Sequence, residues 1–167
     1  NKLKIKEDYI FLLQNIVLKN KIVSHQKKEG IVIVGNIKPI KNQLFAIKLA
    51  EYLNEKLTIV GKIHDKGYYE KILREIKKNN LKSQIKFIHY ENDVQKILPN
   101  FEYAIFTSTS ESGPLVLVEY LAQNLPFLAY KTGEVSDILK EDVPNFFINN
   151  FDLEDWKKRI IAIKKQE

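Results

Sequence analysis

The 167-residue chain contains no cysteine and no methionine, and it has three histidines and one tryptophan. Without cysteine there is neither a disulfide nor a thiolate metal site, which fits a reducing compartment. His25, His64 and His89 show no ligand spacing of the H-E-x-x-H kind, and no carboxylates cluster as a metal cage does, so no metal is expected. No serine has a convincing histidine and aspartate partner set, which argues against a hydrolase triad. No window approaches eighteen consecutive apolar residues, so no membrane span is expected. The first eight residues lack the apolar core of a signal peptide. The expected location is the cytoplasm. Arginine is scarce as well, with only Arg74 and Arg159. The formal net charge of +6 is therefore almost entirely lysine, and the side chain that reads guanine bidentately is nearly missing. Nucleic acid is not expected as a partner. Solvated lysines on helix faces account for the charge, with peripheral contact at the inner face of a membrane as the further expectation.

Against these absences, apolar runs alternate with amphipathic segments. Strands are expected at residues 31–34, 57–60, 85–88, 103–106 and 126–130, with a weaker sixth at 145–148. Helices are expected at 42–53, 68–79, 93–98 and 114–123, as a turn or two at 135–139, and after an N-cap at Asp152. In the helix over 68–79, Ile72, Leu73 and Ile76 are expected to face inward. Trp156, with Leu153 and Ile160, is expected in the core. The strands are continuous apolar runs, as a sheet covered on both faces requires. Regular strand–helix alternation gives parallel strands with helical crossovers. The expected fold is an α/β doubly wound parallel sheet, Rossmann-like, of five or six strands, in a single domain. Residues 30–167 form its core, and residues 1–29, with helical periodicity over 9–18, are expected to connect to another domain.

Ligands of such sheets sit at the carboxyl ends of the strands, near the topological switch point. The segments that follow strands are thus the candidates. The turn after the first strand, Gly35-Asn-Ile-Lys-Pro-Ile-Lys-Asn-Gln43, is neither a Walker loop nor a G-x-G-x-x-G fingerprint. It does place Lys41 at the mouth of the next helix, where an ammonium meets a diphosphate or simply points into solvent. Gly35 and Gly61 end strands for backbone reasons. After the fourth strand comes a hydroxyl run, Thr107, Ser108, Thr109 and Ser110, then Glu111-Ser-Gly-Pro-Leu-Val-Leu-Val-Glu119. Pro114 suits the first position of a helix, with Gly113 as its N-cap. The amides of Leu115 and Val116 would then face an anion or a sugar oxygen. Glu111 lies just before that helix end and Glu119 one and a half turns inside it, where a carboxylate accepts hydrogen bonds from ribose. Spacing alone also allows a solvated loop residue and a surface helix residue. His89 follows the third strand, where a base could lie beside it.

These signals fall in an order that resembles the nucleotide-binding C-terminal domain of GT-B retaining glycosyltransferases, the large group 1 family, also numbered family four. The likeness runs over residues 31–164. Val34-Gly-Asn-Ile-Lys-Pro-Ile-Lys-Asn-Gln43 is similar to the family's Val-Gly-Arg-Leu…Lys-Asn-Gln opening. Thr58-Ile-Val-Gly61 is similar to its second strand and turn, Ser108 and Glu111 to its Ser-x-x-Glu, and Glu111 to Glu119 to its paired-glutamate motif. Asn124-Leu-Pro126 resembles its Gly-x-Pro step, and Thr132-Gly133 its following glycine turn. The resemblance implies a nucleotide-diphosphate sugar as donor substrate, with no cofactor and no metal, and retaining transfer to a hydroxyl acceptor, in surface polysaccharide or glycolipid synthesis. It implies Glu111 and Lys41 as the catalytic pair, Lys41 on the diphosphate and Glu111 on hydroxyls of the transferred sugar. Glu119 would hold the ribose, and the amides of Gly113 and Leu115 the sugar or phosphate. Gly35, Asn36 and Ser108 would line the donor site, and His89 would meet the base through its backbone. Asn36 stands where the family has a phosphate-binding arginine, with Lys38 as the expected compensation. Gly113-Pro114 stands where it has Phe-Gly. An N-terminal acceptor domain, absent from this chain, is the implied partner. The alternative is a Rossmann-like module that binds a nucleotide or a protein partner without catalysis.

Overall fold

A computed structural model describes residues 28–165. The helix expected over 9–18 lies outside the described residues. Six parallel strands form one sheet: β1 (Ile31–Val34), β2 (Leu57–Val60), β3 (Ile85–Ile88), β4 (Tyr103–Phe106), β5 (Phe127–Tyr130) and β6 (Phe147–Ile148). Their spatial order is β3-β2-β1-β4-β5-β6. Among the described residues the α-helices are α1 (Gln43–Leu53), α2 (Lys66–Lys78), α3 (Leu115–Ala122), α4 (Glu134–Asp142) and α5 (Leu153–Lys164).

The strands are largely apolar because both faces of the sheet are covered, with Thr58 in β2 and the exposed Lys86 in the edge strand β3 as exceptions. Every residue of β2 and β4 is buried. One core lies under α1, α2 and α5 and includes Ile31, Ile33, Leu49, Ile59, Ile72, Ile105 and Trp156. The opposite core includes Val32, Val60, Ala104, Phe106, Leu117, Tyr120 and Phe127. Alternate residues of each strand thus feed opposite cores, the period of two expected of a strand. Trp156 is fully buried, meets Phe45 edge to face at 5.1 Å between centroids, and donates its indole N–H to the Asn150 carbonyl at 2.8 Å. Asp152 caps α5 by accepting from the Asp155 amide, as its place before an apolar period demands.

Four local expectations are corrected. Leu73 is 41% exposed, while Ile72 and Ile76 are buried. α2 is pinned further upstream than its apolar period suggests, because the Asp65 side chain caps it through the Tyr68 amide. The segment 93–98 is not one helix but two 3-10 turns, Val94–Lys96 and Leu98–Asn100, since Pro99 breaks regular α hydrogen bonding. The sixth strand keeps only Phe147–Ile148, with the 3-10 turn Pro144–Phe146 before it.

Candidate functional site

The strand order reverses direction between β1 and β4, and this switch point at the carboxyl edge of the sheet is where ligands of such folds bind. The loop after β1 carries Gly35, Asn36 and the 3-10 turn Pro39–Lys41. The loop after β4 carries the hydroxyl run. The two loops are stitched together. Thr107 is fully buried, and its hydroxyl donates to the carbonyls of Lys41 (2.8 Å) and Asn42 (3.2 Å). The Thr109 amide and hydroxyl both donate to the Ile40 carbonyl.

This stitching brings together two residues seventy positions apart. Lys41 Nζ and Glu111 Oε1 form an ion pair at 2.5 Å, with only 16% and 18% of the side chains exposed. The Lys41 stem crosses Gly35, where an added Cβ would sit 3.3 Å from Lys41 Cδ. Its ammonium lies 5.9 Å from the centre of the Phe106 ring. A pair so shielded is held much more firmly than a surface one.

Glu111 is fixed from the other side by the turn after β5. Its amide donates to the Thr132 hydroxyl at 3.3 Å, and the Glu134 amide donates to the Ser112 carbonyl at 2.9 Å. Gly133, at φ 80°, lies so close that a Cβ there would come within 2.8 Å of the Glu111 carbonyl oxygen. Helix α3 begins at Leu115, and its N-cap is Pro114, not Gly113. Pro114 stays extended (φ −72°, ψ 93°), and its carbonyl accepts from the Leu117 amide. The helix therefore opens one residue later than expected, with no side-chain cap and with the Leu115 and Val116 amides in its first turn.

Glu119 projects from the second turn of α3 and is partly buried. Burial raises its pKa above the ordinary glutamate range, and the Asp93 carboxylate raises it further. Ser108 is 2% exposed behind the loop, while the Asn36 side chain is exposed at its mouth. The His89 ring stacks on Phe87 and meets Tyr69 edge to face, with Nδ1 3.4 Å from the Gly61 carbonyl oxygen. Its side chain thus belongs to the packing beside α2. Among the described residues no three or more histidines and carboxylates cluster to hold a metal ion, and no helix is long and apolar enough to cross a membrane.

Sequence reasoning missed a tyrosine at this edge. Tyr68, on α2, accepts the Leu44 amide at 3.2 Å through its hydroxyl oxygen. Burial raises its pKa, and the Leu44 and Gln43 amides partly offset this. The amino end of α1 is thus already occupied by a protein oxygen. The amino end of α3, by contrast, has no side-chain cap. Tyr68 reads as one more aromatic of an amphipathic helix, so its spacing carries no signal. Beside Glu111, Tyr130, Lys131, Thr132, Gly133, Ser136, Asp137 and Asn149 line a recess of about 430 Å³.

Comparisons with known proteins bear on the family and the fold. The sequence pattern of "Glycosyl transferases group 1" matches residues 15–167. EpsF of Bacillus subtilis (strain 168) is 29% identical over 120 residues, covering 67% of this chain and 29% of that protein. N-acetyl-alpha-D-glucosaminyl L-malate synthase of Bacillus anthracis is 22% identical, covering 98% of this chain and 45% of that protein. The chain thus spans less than half the length of both relatives. Among solved structures, TarM superposes with a TM-score of 0.77 at 24% identity, over 91% of this chain and 31% of that one. A single-residue variant of S. aureus TarM in complex with fondaparinux, alpha-GlcNAc-glycerol and UDP gives 0.75 at 23% identity, over 93% of this chain and 32% of that one. At these identities the likeness establishes the fold, the Rossmann-like half of a GT-B glycosyltransferase. A doubly wound sheet with this strand order, matched along nearly its whole length, places the chain in the group 1 glycosyl transferases.

Proposed function

We propose that this chain is the donor-binding domain of a retaining glycosyltransferase that moves a sugar from a nucleotide diphosphate to a hydroxyl acceptor. The observation that supports this best is the Lys41–Glu111 pair, held across the switch point beside the free end of α3. In this reading the donor diphosphate sits against Lys41 and the amides of α3, and Glu111 turns to the hydroxyls of the sugar. Glu119 accepts from the ribose, and Gly113, Leu115, Gly35 and Asn36 complete the donor surface, with the buried Ser108 behind it rather than on it. His89 reaches the base through its backbone. The UDP in the TarM complex makes a uridine nucleotide the first to test.

The reaction breaks the bond between the anomeric carbon and the diphosphate oxygen and forms one from that carbon to the acceptor oxygen, whose proton leaves with the diphosphate, through an oxocarbenium-like transition state. Negative charge grows on the departing diphosphate. Once Glu111 has turned to the sugar, the Lys41 ammonium and the helix end stabilise that charge. Removing one such oriented donor typically costs roughly 2.7–4 kcal/mol of barrier, or about 10²–10³ in turnover. The acceptor would be held by an N-terminal domain outside this chain, in surface polysaccharide or glycolipid assembly at the inner face of a membrane.

Calorimetric titration of the chain with UDP, GDP and ADP tests the reading. Saturable binding of one of them, lost in Glu119→Ala, supports it, and wild type that binds none of the three overturns it. In the complete enzyme, Lys41→Ala is expected to lower turnover by about 10²–10³. A second reading, nucleotide binding without transfer, draws on Asn36 standing where the family has an arginine. It predicts the same binding, with no sugar transfer by the complete protein.

A further inference from the structure

β1 and β4 are neighbours, yet their pairing stops early. Only Ile31 with Tyr103 and Val32 with Ala104 are in register, whereas β1 stays paired with β2 through Val34. The amides of Ile31 and Gly35 donate toward β2, to the carbonyls of Lys56 and Val60. Successive amides along a strand point to opposite neighbours, so those of Val32 and Val34 point toward β4. At Val34 the acceptor is not a β4 carbonyl. It is the hydroxyl of Tyr120, on α3, 3.2 Å away. Tyr120 is fully buried, with its ring 5.8 Å from that of Phe127.

A side-chain oxygen thus takes the place of a ladder carbonyl where the sheet splits open. The contact joins two parts of the candidate site. Val34 immediately precedes the Gly35 loop that leads to Lys41, and Tyr120 follows Glu119. Helix α3 is eight residues long and has no side-chain cap to fix it along its axis. An unpaired buried amide is costly, so the bond resists sliding of α3 against β1.

We propose that Tyr120 is a positioning residue of the donor site. Its hydroxyl sets the spacing between the strand end leading to Lys41 and the helix that carries Glu119 and the anion-facing amides. The inference rests on the donor-binding reading above. Burial raises the Tyr120 pKa, only partly offset by the Val34 amide, and the Glu119 charge raises it further. The hydroxyl stays neutral through physiological pH, and the tie does not titrate there.

The test is UDP binding to the chain by calorimetry at mildly acid and mildly alkaline pH, for wild type and for Tyr120→Phe, which keeps the ring and the fold. Kd is expected to rise about tenfold, as for a lost hydrogen bond worth ~1.4 kcal/mol, and equally at both pH values. The effects of Tyr120→Phe and Glu119→Gln should be less than additive, since one residue acts through the other. In wild type the Val34 amide should exchange with solvent as slowly as the paired amides of β1. A Kd within twofold of wild type, additive effects, or Val34 exchange as fast as that of loop amides would each overturn the role of Tyr120 alone. Wild type that binds no nucleotide overturns the donor-site reading, and this role with it.

Discussion

Lys41 and Glu111 illustrate what one residue can and cannot announce. Each stood out in the sequence for its place after a strand, but their mutual contact depends on buried hydroxyls, Thr107 above all, whose carbonyl partners no linear pattern reveals. In the structure each neutralises the other. Glu111→Gln should therefore free the ammonium for phosphate. The expected outcome is equal or tighter UDP binding by calorimetry, alongside turnover of the complete enzyme lower by about 10²–10³. Weaker UDP binding in that variant would contradict it. Glu119 poses the opposite case. Its raised pKa means the folded state favours the protonated form, so its charge costs stability once the pH exceeds the ordinary glutamate value. The penalty fades as the pH falls below that value. Glu119→Gln is expected to raise the melting temperature at neutral pH while weakening UDP binding. The wild-type affinity should decline on acidification at a higher pH than an ordinary glutamate would give. The spacing of Glu119 marked a candidate, but its burial and the nearby Asp93 appear only in three dimensions.

At the scale of elements, the strands were legible because a sheet covered on both faces demands predominantly apolar runs, and the strands fall on such runs, broken by Thr58 in β2 and Lys86 in β3. Helix ends were less legible. Leu73 continues the apolar period of α2 yet faces solvent, because Ile72 and Ile76 already fill the seam with the sheet. Pro114 suits both the first position of a helix and the residue before it, and its extended backbone decides for the latter. The turn between β5 and α4 matters more to the site than its length suggests. Gly133 adopts a backbone conformation nearly restricted to glycine and touches the Glu111 carbonyl. Gly133→Ala should cost about 1–3 kcal/mol in denaturant unfolding and weaken UDP binding along with it. The control is Gly67→Ala in the first turn of α2, where an added Cβ meets only Asp65 Oδ1 at 3.5 Å. That change should leave stability equal or higher by up to ~1 kcal/mol and leave UDP binding unaltered.

Across the whole molecule, polar side chains concentrate at both rims of the sheet, but with different character. At the amino rim Lys164 binds Glu55 at 2.8 Å and Glu102 at 3.0 Å, and lies 4.7 Å from the centre of the Tyr103 ring. The Tyr103 hydroxyl donates to Glu55 at 2.8 Å. Burial alone would lower the Lys164 pKa, but its hydrogen bonds to the two glutamates outweigh it and raise the value above the ordinary lysine range. Burial and the Glu55 charge push Tyr103 up as well. Both groups hold their protons more tightly when folded. Their contribution is complete at neutral pH and is lost as the pH climbs through their raised values. Melting temperature should fall steeply in strong alkali for the wild type and less steeply for Lys164→Met. Parallel strands give the domain a division of labour. Every strand enters at the rim clamped by Lys164 and leaves at the rim that carries Lys41 and Glu111. Substitutions that retune the exit rim are therefore distant from the clamp, and the energetic effects of changes at the two rims should simply add. A lineage of such domains can vary what its exit rim binds without renegotiating how the chain stays folded.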